Sequence, residues 1–221
     1  LAGHLSSQGF HPPRVLAYDT AAGLALIEDF GDSKELARQI ERGLVDETEA
    51  YVAAADVLTR LHALPVPDRL EANGEVWPIL DFDRLALATN ADLYADWLPQ
   101  QRGGGALAGQ TRARWESERD ALIEQAMAFP RTFTLRDFHA ENLLWLEGGR
   151  IGLLDFQDAV KGWDAWDMAM LTQDARRAVT PEAAEAAIRH YLDRTGKSRT
   201  EFDERLAVIG ALNALCIAGV F

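Results

Sequence analysis

Residues 134–146, "TLRDFHAENLLWL", decide the fold. They set Asp137, His139, Glu141 and Asn142 between two apolar, β-rich runs. A buried strand has no use for four polar side chains, whereas a loop held between two strands does. "RTFTL" (131–135) enters that loop and "NLLWL" (142–146) leaves it. A Gly148-Gly149 turn then leads to a third run, "IGLLDF" (151–156), so a small β-island is expected with Asp155 at the end of its hairpin.

The spacing carries chemistry. An Asp and an Asn five residues apart make, by themselves, an Asx-capped turn. Asp155, thirteen residues beyond Asn142, changes that reading. Phosphoryl transfer to a hydroxyl needs one carboxylate to orient the hydroxyl proton. It also needs an amide oxygen and a second carboxylate to hold Mg²⁺ against the nucleotide phosphates. The protein kinase pattern H-R-D-L-x-x-x-N followed by D-F-G has the same Asp-to-Asn spacing, and here the chain reads L-R-D-F-H-A-E-N and then D-F-Q.

Outward from the island the pattern is helical. "DETEAYVAAADVLTRLHAL" (46–64) has three- and four-residue apolar spacing, an acidic start and a "PVPD" stop. "DFDRLALATNADLYADWL" (81–98) and "TRARWESERDALIEQAMAF" (111–129) are two further helices divided by the glycine-rich "QQRGGGALAG", a mobile loop rather than a phosphate cradle. After the island, 163–177, 180–195 and 200–215 return to helix, with Thr180-Pro181 in the order of N-cap and first helical residue. At the other end, "PPRVLAYDT" and "GLALIEDF" flank the turn "TAAG" as a hairpin at the edge of a small sheet.

Composition excludes several classes of function. In 221 residues, 35 Asp and Glu against 22 Lys and Arg give a formal charge of −13, which would repel nucleic acid and anionic membranes. No apolar run approaches the length of a membrane span. A single cysteine, Cys216, inside "ALNALCIAGVF" reads as a core residue of a cytoplasmic protein. The missing initiator Met and the apolar ending lead us to expect a piece of a longer chain.

"LRDFHAENLLWL" with "IGLLDFQDAV" resembles the aminoglycoside phosphotransferase and choline kinase family, small-molecule kinases whose usual signature is H-G-D-x-H-x-x-N followed by an I-D-F/W run. The resemblance extends over most of the chain. "ALIEDFGD" is similar to the family's hinge between lobes, "LTRLHALP" to its helix with a Leu-His pair, and "GWDAWDMAM" to the helix start that carries a structural Asp. "DFQDA" and "QDARR" look most like the kinases that phosphorylate N-acetylmuramate and N-acetylglucosamine at the anomeric hydroxyl.

The resemblance implies an α+β, protein-kinase-like fold. Residues 1–31 would be the remnant of the N-terminal nucleotide-binding lobe with its hinge, and 32–221 the helical C-terminal lobe. It implies an ATP-dependent kinase acting on a hydroxyl of a small molecule, a sugar above all. Asp137 would be the catalytic base, Asn142 and Asp155 the Mg²⁺ ligands, and the backbone from Glu28 to Phe30 the adenine-binding hinge. His139 would brace the loop, Asp167 would cap a helix and tie it to the loop, and Arg136 would pair with an acid or sit near the phosphate path. Helices within 81–128 and the segment 158–167 would wall the acceptor.

Two departures stand out. Leu135 replaces the first His of the signature, so packing replaces its hydrogen bond. Gln157 stands where protein kinases have Gly, which fits the small-molecule branch. Only Lys34, Lys161 and Lys197 occur, all downstream of the hinge, so the Gly-rich loop and phosphate-binding Lys are expected upstream of residue 1. A protein without them would be a pseudokinase-like binding module. Choline, aminoglycoside and homoserine kinases share the catalytic set, and Trp97, Trp163 and Trp166 would serve a choline cage if they faced the cleft, although core packing is the plainer use. His62 reads as a satisfied core histidine, His11 and His190 as surface residues, Asp164 as a helix cap and Glu141 as solvent-facing. Asp158 either shapes the substrate cleft or caps its loop.

Overall fold

Helix α3 (Glu47–Leu61) forms the spine of the larger, helical part of the molecule. Asp46 caps it, its carboxylate accepting the Glu49 amide at 2.9 Å, and Ala50, Tyr51, Ala54, Leu58 and Leu61 form one buried stripe. The computed structural model describes residues 1–72 and 74–220.

Ahead of α3 come α1 (Ala2–Ser7), the hairpin β1 (Val15–Asp19) and β2 (Leu24–Ile27), and α2 (Leu36–Glu41). The expected hairpin is present, turned by Asp19 Oδ1 accepting the amides of Ala21 and Ala22. Among the described residues it pairs with no further strand, and both its strands are exposed on both faces.

After α3 the chain makes a second hairpin, β3 (Arg69–Ala72) with β4 (Glu75–Pro78), which the sequence reading did not anticipate. The long helices α4 (Arg84–Gln101) and α5 (Gly109–Ala128) follow, α4 running past the expected stop to include Pro99. Asp92 clasps the pair, accepting Trp115 Nε1 at 2.7 Å and lying 3.2 Å from Arg112.

The β-island holds β5 (Thr132–Thr134), β6 (Leu143–Leu146), β7 (Arg150–Leu153) and β8 (Val160–Gly162). β6 and β7 form the expected antiparallel hairpin, in register Leu143↔Leu153, through Gly148 and Gly149, both at φ 73°. β5 does not join them. It pairs with β8, in register Thr134↔Val160, so the strands on either side of the 134–146 loop belong to different two-stranded sheets.

Three helices close the structure: α6 (Asp164–Thr172), α7 (Pro181–Thr195) and α8 (Arg199–Val220). α7 packs on α3, and α8 packs on α4 and α6. Thr180 caps α7 as expected, accepting the Ala183 amide. One apolar core runs through Tyr51, Leu58, Phe133, Phe138, Trp163, Tyr191 and Phe202, every one fully buried. Among the described residues no helix is long and apolar enough to cross a membrane.

Two histidines differ from expectation. His11 is half-buried and its carbonyl accepts the Leu153 amide at 3.0 Å, tying the N-terminal segment to β7. His190 lies half-buried 3.2 Å from Asp56, joining α7 to α3.

Candidate active site

The loop after β5 is gripped from α6. The Asp167 carboxylate accepts the amides of Leu135 and Arg136, each at 2.9 Å, and Trp166 Nε1 donates to the Arg136 carbonyl at 3.2 Å. Arg136 takes a left-handed backbone, φ 77°, and that turn carries the chain into Asp137. Asn142 closes the loop: its Nδ2 donates to the Asp137 carbonyl at 3.0 Å and to His139 Nε2 at 3.1 Å, and stands 3.4 Å from Asp155 Oδ2. The Asn142 carbonyl accepts the Leu154 amide at 2.9 Å, fixing Asp155, itself at φ 52°. Asp137, His139, Asn142 and Asp155 are therefore brought together at the ends of β5, β6 and β7, and the Gln157 side chain donates to Asp155.

Behind α6 lies a buried polar chain. His62, at the end of α3, is held between the Tyr191 hydroxyl at 3.0 Å and Asp167 at 3.3 Å, a satisfied core histidine as expected. Asp164 is not the helix cap that was expected, because Trp163 occupies that position. Its buried carboxylate instead faces Lys197 at 2.5 Å, and Tyr191 and Arg205, each at 3.4 Å. Asp167 likewise sits inside the first turn, so it ties the loop without capping the helix.

Burial pushes the Asp137 carboxyl above the ordinary aspartate range; Arg136 opposes the shift, while the charges of Asp155 and Asp158 add to it. Burial, with help from Arg176, lowers the His139 pKa, so the ring is neutral near pH 7. With Asn142 donating to Nε2, His139 carries its proton on Nδ1. Asp158 is exposed and makes no hydrogen bond among the described residues, so its influence on the site is through charge.

Two cavities lie nearby: Asp137 lines one, and the other touches Glu141, Leu144 and Leu154, chain neighbours of Asn142 and Asp155. One, of about 260 Å³, is lined by Pro13, Ile27, Glu28, Phe30, Leu144 and Leu154, with Glu141 at its edge. Glu28 anchors it: its carboxylate takes the Arg14 side chain at 3.1 Å, which lowers its pKa, and its amide donates to the Arg14 carbonyl at 2.8 Å. The other, of about 170 Å³, opens on Asp137 and Arg136 between α6 and α8, against Met170, Asn213, Cys216 and Ile217. Arg176 and Ile217 also line an adjoining space of about 490 Å³. No Lys lines any of the three.

Apart from Trp166, the cavity beside Asp137 takes no residue from 81–128 or 158–167; α8 supplies its far wall, and Asn213 was the polar signal within an otherwise apolar run. Trp163 is fully buried beneath Arg131, 4.0 Å from the ring centroid, and Trp166 packs edge-on to Phe82. Trp97 is exposed on α4, so these three build no aromatic cage. Cys216 is half-buried at the cavity rather than in the core. Glu141 is exposed but paired with Arg176 at 3.5 Å. Arg136 pairs with no acid among the described residues; its guanidinium lies over the Phe82 ring at 5.1 Å.

The profile of the phosphotransferase enzyme family matches residues 1–202. Two curated relatives carry the name N-acetylmuramate/N-acetylglucosamine kinase. The one from Caulobacter vibrioides is 44% identical over all of this chain and 61% of its own length; the one from Pseudomonas aeruginosa is 32% identical over 86% of this chain and 53% of its own. The chain thus spans between half and two-thirds of these relatives. Among solved structures, a choline/ethanolamine kinase family protein from Mesorhizobium loti matches 98% of this chain and 66% of its own, with a TM-score of 0.65 and 18% identity. An aminoglycoside phosphotransferase solved with streptomycin and ATP matches 96% of this chain and 70% of its own, with a TM-score of 0.63 and 14% identity. At such identities the likeness is one of fold, the α+β kinase-like fold.

Proposed function

Because the chain belongs to the phosphotransferase enzyme family, we propose that it carries the catalytic loop of an ATP-dependent kinase that phosphorylates a hydroxyl of an amino sugar, at the anomeric position. The observation that carries this reading is Asn142, whose one amide nitrogen reaches the Asp137 carbonyl, His139 and Asp155 beside the cavity that Asp137 lines.

In this reading residues 1–31 belong to the nucleotide-binding side and 32–221 to the catalytic and acceptor-binding lobe. The backbone from Glu28 to Phe30 faces the adenine, and Asp137 orients the acceptor hydroxyl and takes its proton. Asn142 and Asp155 would hold Mg²⁺. The donor set fits that ion: Asn142 commits its nitrogen to protein acceptors, leaving its oxygen for a cation, and Asp155 is an exposed carboxylate. Among the described residues no group of three or more His, Cys, Asp or Glu forms a protein cage, and Mg²⁺ shared with nucleotide phosphates needs only one or two carboxylates. When bound, the ion neutralises charge on the transferring phosphates. The raised pKa of Asp137 suits a group that must accept a proton. A cytoplasmic setting, where ATP is supplied, accords with this chemistry.

An amino sugar is favoured over choline because Trp97, Trp163 and Trp166 build no aromatic cage and the cavity beside Asp137 is lined by Arg136, Arg176 and Asn213. The test is an ATP-consumption assay of the full-length protein with N-acetylmuramate, N-acetylglucosamine, choline, homoserine and an aminoglycoside. Turnover is expected with the amino sugars, giving an acid-labile anomeric phosphate. Turnover with choline, homoserine or the aminoglycoside alone would overturn the acceptor assignment, and turnover with none of the five would favour a binding module.

A further inference from the structure

The Arg136 backbone sits at φ 77°, a left-handed region that strains a residue with a Cβ and that glycine enters freely. A strained arginine beside the candidate base calls for a reason. Its side chain supplies one. The Nε is sealed from solvent with no hydrogen-bond partner, and among the described residues no carboxylate pairs with the guanidinium, in a chain with 35 acidic side chains. The Phe82 ring at 5.1 Å holds one face of the guanidinium plane, and Asp167 and Trp166 fix the backbone beneath it. A planar, pre-positioned cation that feels the Asp137 charge but has no ion-pair or hydrogen-bonded carboxylate among the described residues is built for an external one.

The anion must arrive through the cavity that Arg136 shares with Asp137. The other arginine there, Arg176, is already engaged, 3.5 Å from both Asp174 and Glu141. On the sugar-kinase reading, the two amino sugars under consideration differ by one group, an ether-linked lactyl substituent that carries a carboxylate. We infer that Arg136 recognises a carboxylate on the acceptor and so selects the acidic amino sugar over the neutral one; this inference rests on the proposed function. The competing anion is the transferring phosphoryl group, which is common to every acceptor.

The two differ in what they predict. In the full-length enzyme, kcat/KM is measured for N-acetylmuramate and N-acetylglucosamine, with calorimetric titration of each sugar in the absence of nucleotide. Arg136→Gly is the informative variant, because glycine relieves the left-handed strain and the fold should survive. The expected result is a fall of about tenfold or more in the ratio of kcat/KM for the acidic over the neutral sugar, with Kd for the acidic sugar alone weakening comparably. A loss of the same factor for both sugars assigns Arg136 to the phosphoryl group and overturns the inference, as does an unchanged ratio. Wild-type enzyme that turns over neither sugar overturns the sugar-kinase reading, and this inference with it. Wild-type turnover with an insensitive ratio overturns the inference alone.

Discussion

His62 Nε2 lies 3.3 Å from Asp167 Oδ2, with the two side chains 1% and 0% exposed. The same carboxylate holds the Leu135 and Arg136 amides, so α3 acts on the loop that carries Asp137 through one buried acid. His62→Ala should cost roughly 1–3 kcal/mol, the price of stranding buried polar groups. Asp167→Ala should cost more, since two backbone amides lose their acceptor together. Denaturant unfolding measures both, and equal losses in the two variants would contradict this ranking. A slackened loop should also lower kcat in His62→Ala by about tenfold to a hundredfold.

Asp137→Asn and Asp155→Ala should each abolish measurable turnover while the far-UV circular dichroism stays that of the wild type. Near-normal turnover in either would sink the assignment of the proposed base or metal ligand.

The raised pKa of Asp137 has two consequences of opposite use. For activity the carboxylate must be ionised, so the acid limb of the wild-type kcat/KM should lie above the ordinary aspartate range. For stability the sign reverses. A folded state that holds its proton more tightly than the unfolded chain loses stability as pH rises through the interval between the two pKa values. Asp137→Asn should therefore melt higher than wild type at pH 7, and the gain should disappear below the ordinary aspartate pKa. A variant that melts lower at pH 7 would show that burial does not govern this group.

Asp164 behaves in the contrary way. Burial opposes its ionisation, but Lys197, His62 and Arg205 outweigh burial and lower its pKa. Its contribution is fully present above the unfolded aspartate pKa and is lost as pH falls through the lowered folded value. Lys197→Met should cost about 1–3 kcal/mol at pH 7, less than a sealed ion pair because the lysine is a third exposed and Arg205 remains. The deficit should shrink in acid; a deficit independent of pH would point to lost packing instead.

Gly219 marks the crossing of α8 over α4, where an added Cβ would clash with the backbone of Leu93 and Tyr94. Gly219→Ala should destabilise by roughly 1–3 kcal/mol through overpacking. It should also raise KM for the acceptor more than for ATP, because the helix it displaces carries Asn213, Cys216 and Ile217. Equal changes in both KM values would argue against α8 as the acceptor wall.

The helices α3 and α7 were legible because their caps and three-to-four spacing act locally, and the Asp137, Asn142 and Asp155 spacing was legible because Asn142 and Asp155 flank one hairpin and Asp137 shortly precedes it. β8 was not: three residues, "VKG", give no alternation to read. β3 and β4 were overlooked although Asn73-Gly74 is a hairpin signal, since "RLEA" and "EVWP" have little β character. His62 and Asp167 stand 105 residues apart, and only the folded chain can say which carboxylate a histidine will meet. The cavity beside Asp137 was missed for a related reason. An apolar run with one Asn looks like core until the helix is seen to pass beside Asp137.

The motif on which the proposed chemistry rests and the cavity proposed to take the acceptor come from distant parts of the chain: residues 135–155 supply the first, and Met170, Arg176 and the turns of α8 around 213–217 supply most of the second. Such a division makes the catalyst modular. Grafting a different set of side chains onto two turns of one helix could redirect the enzyme to a new alcohol while leaving the geometry around Asn142 and its three partners untouched. Asp137, shared by both, is the hinge of that exchange.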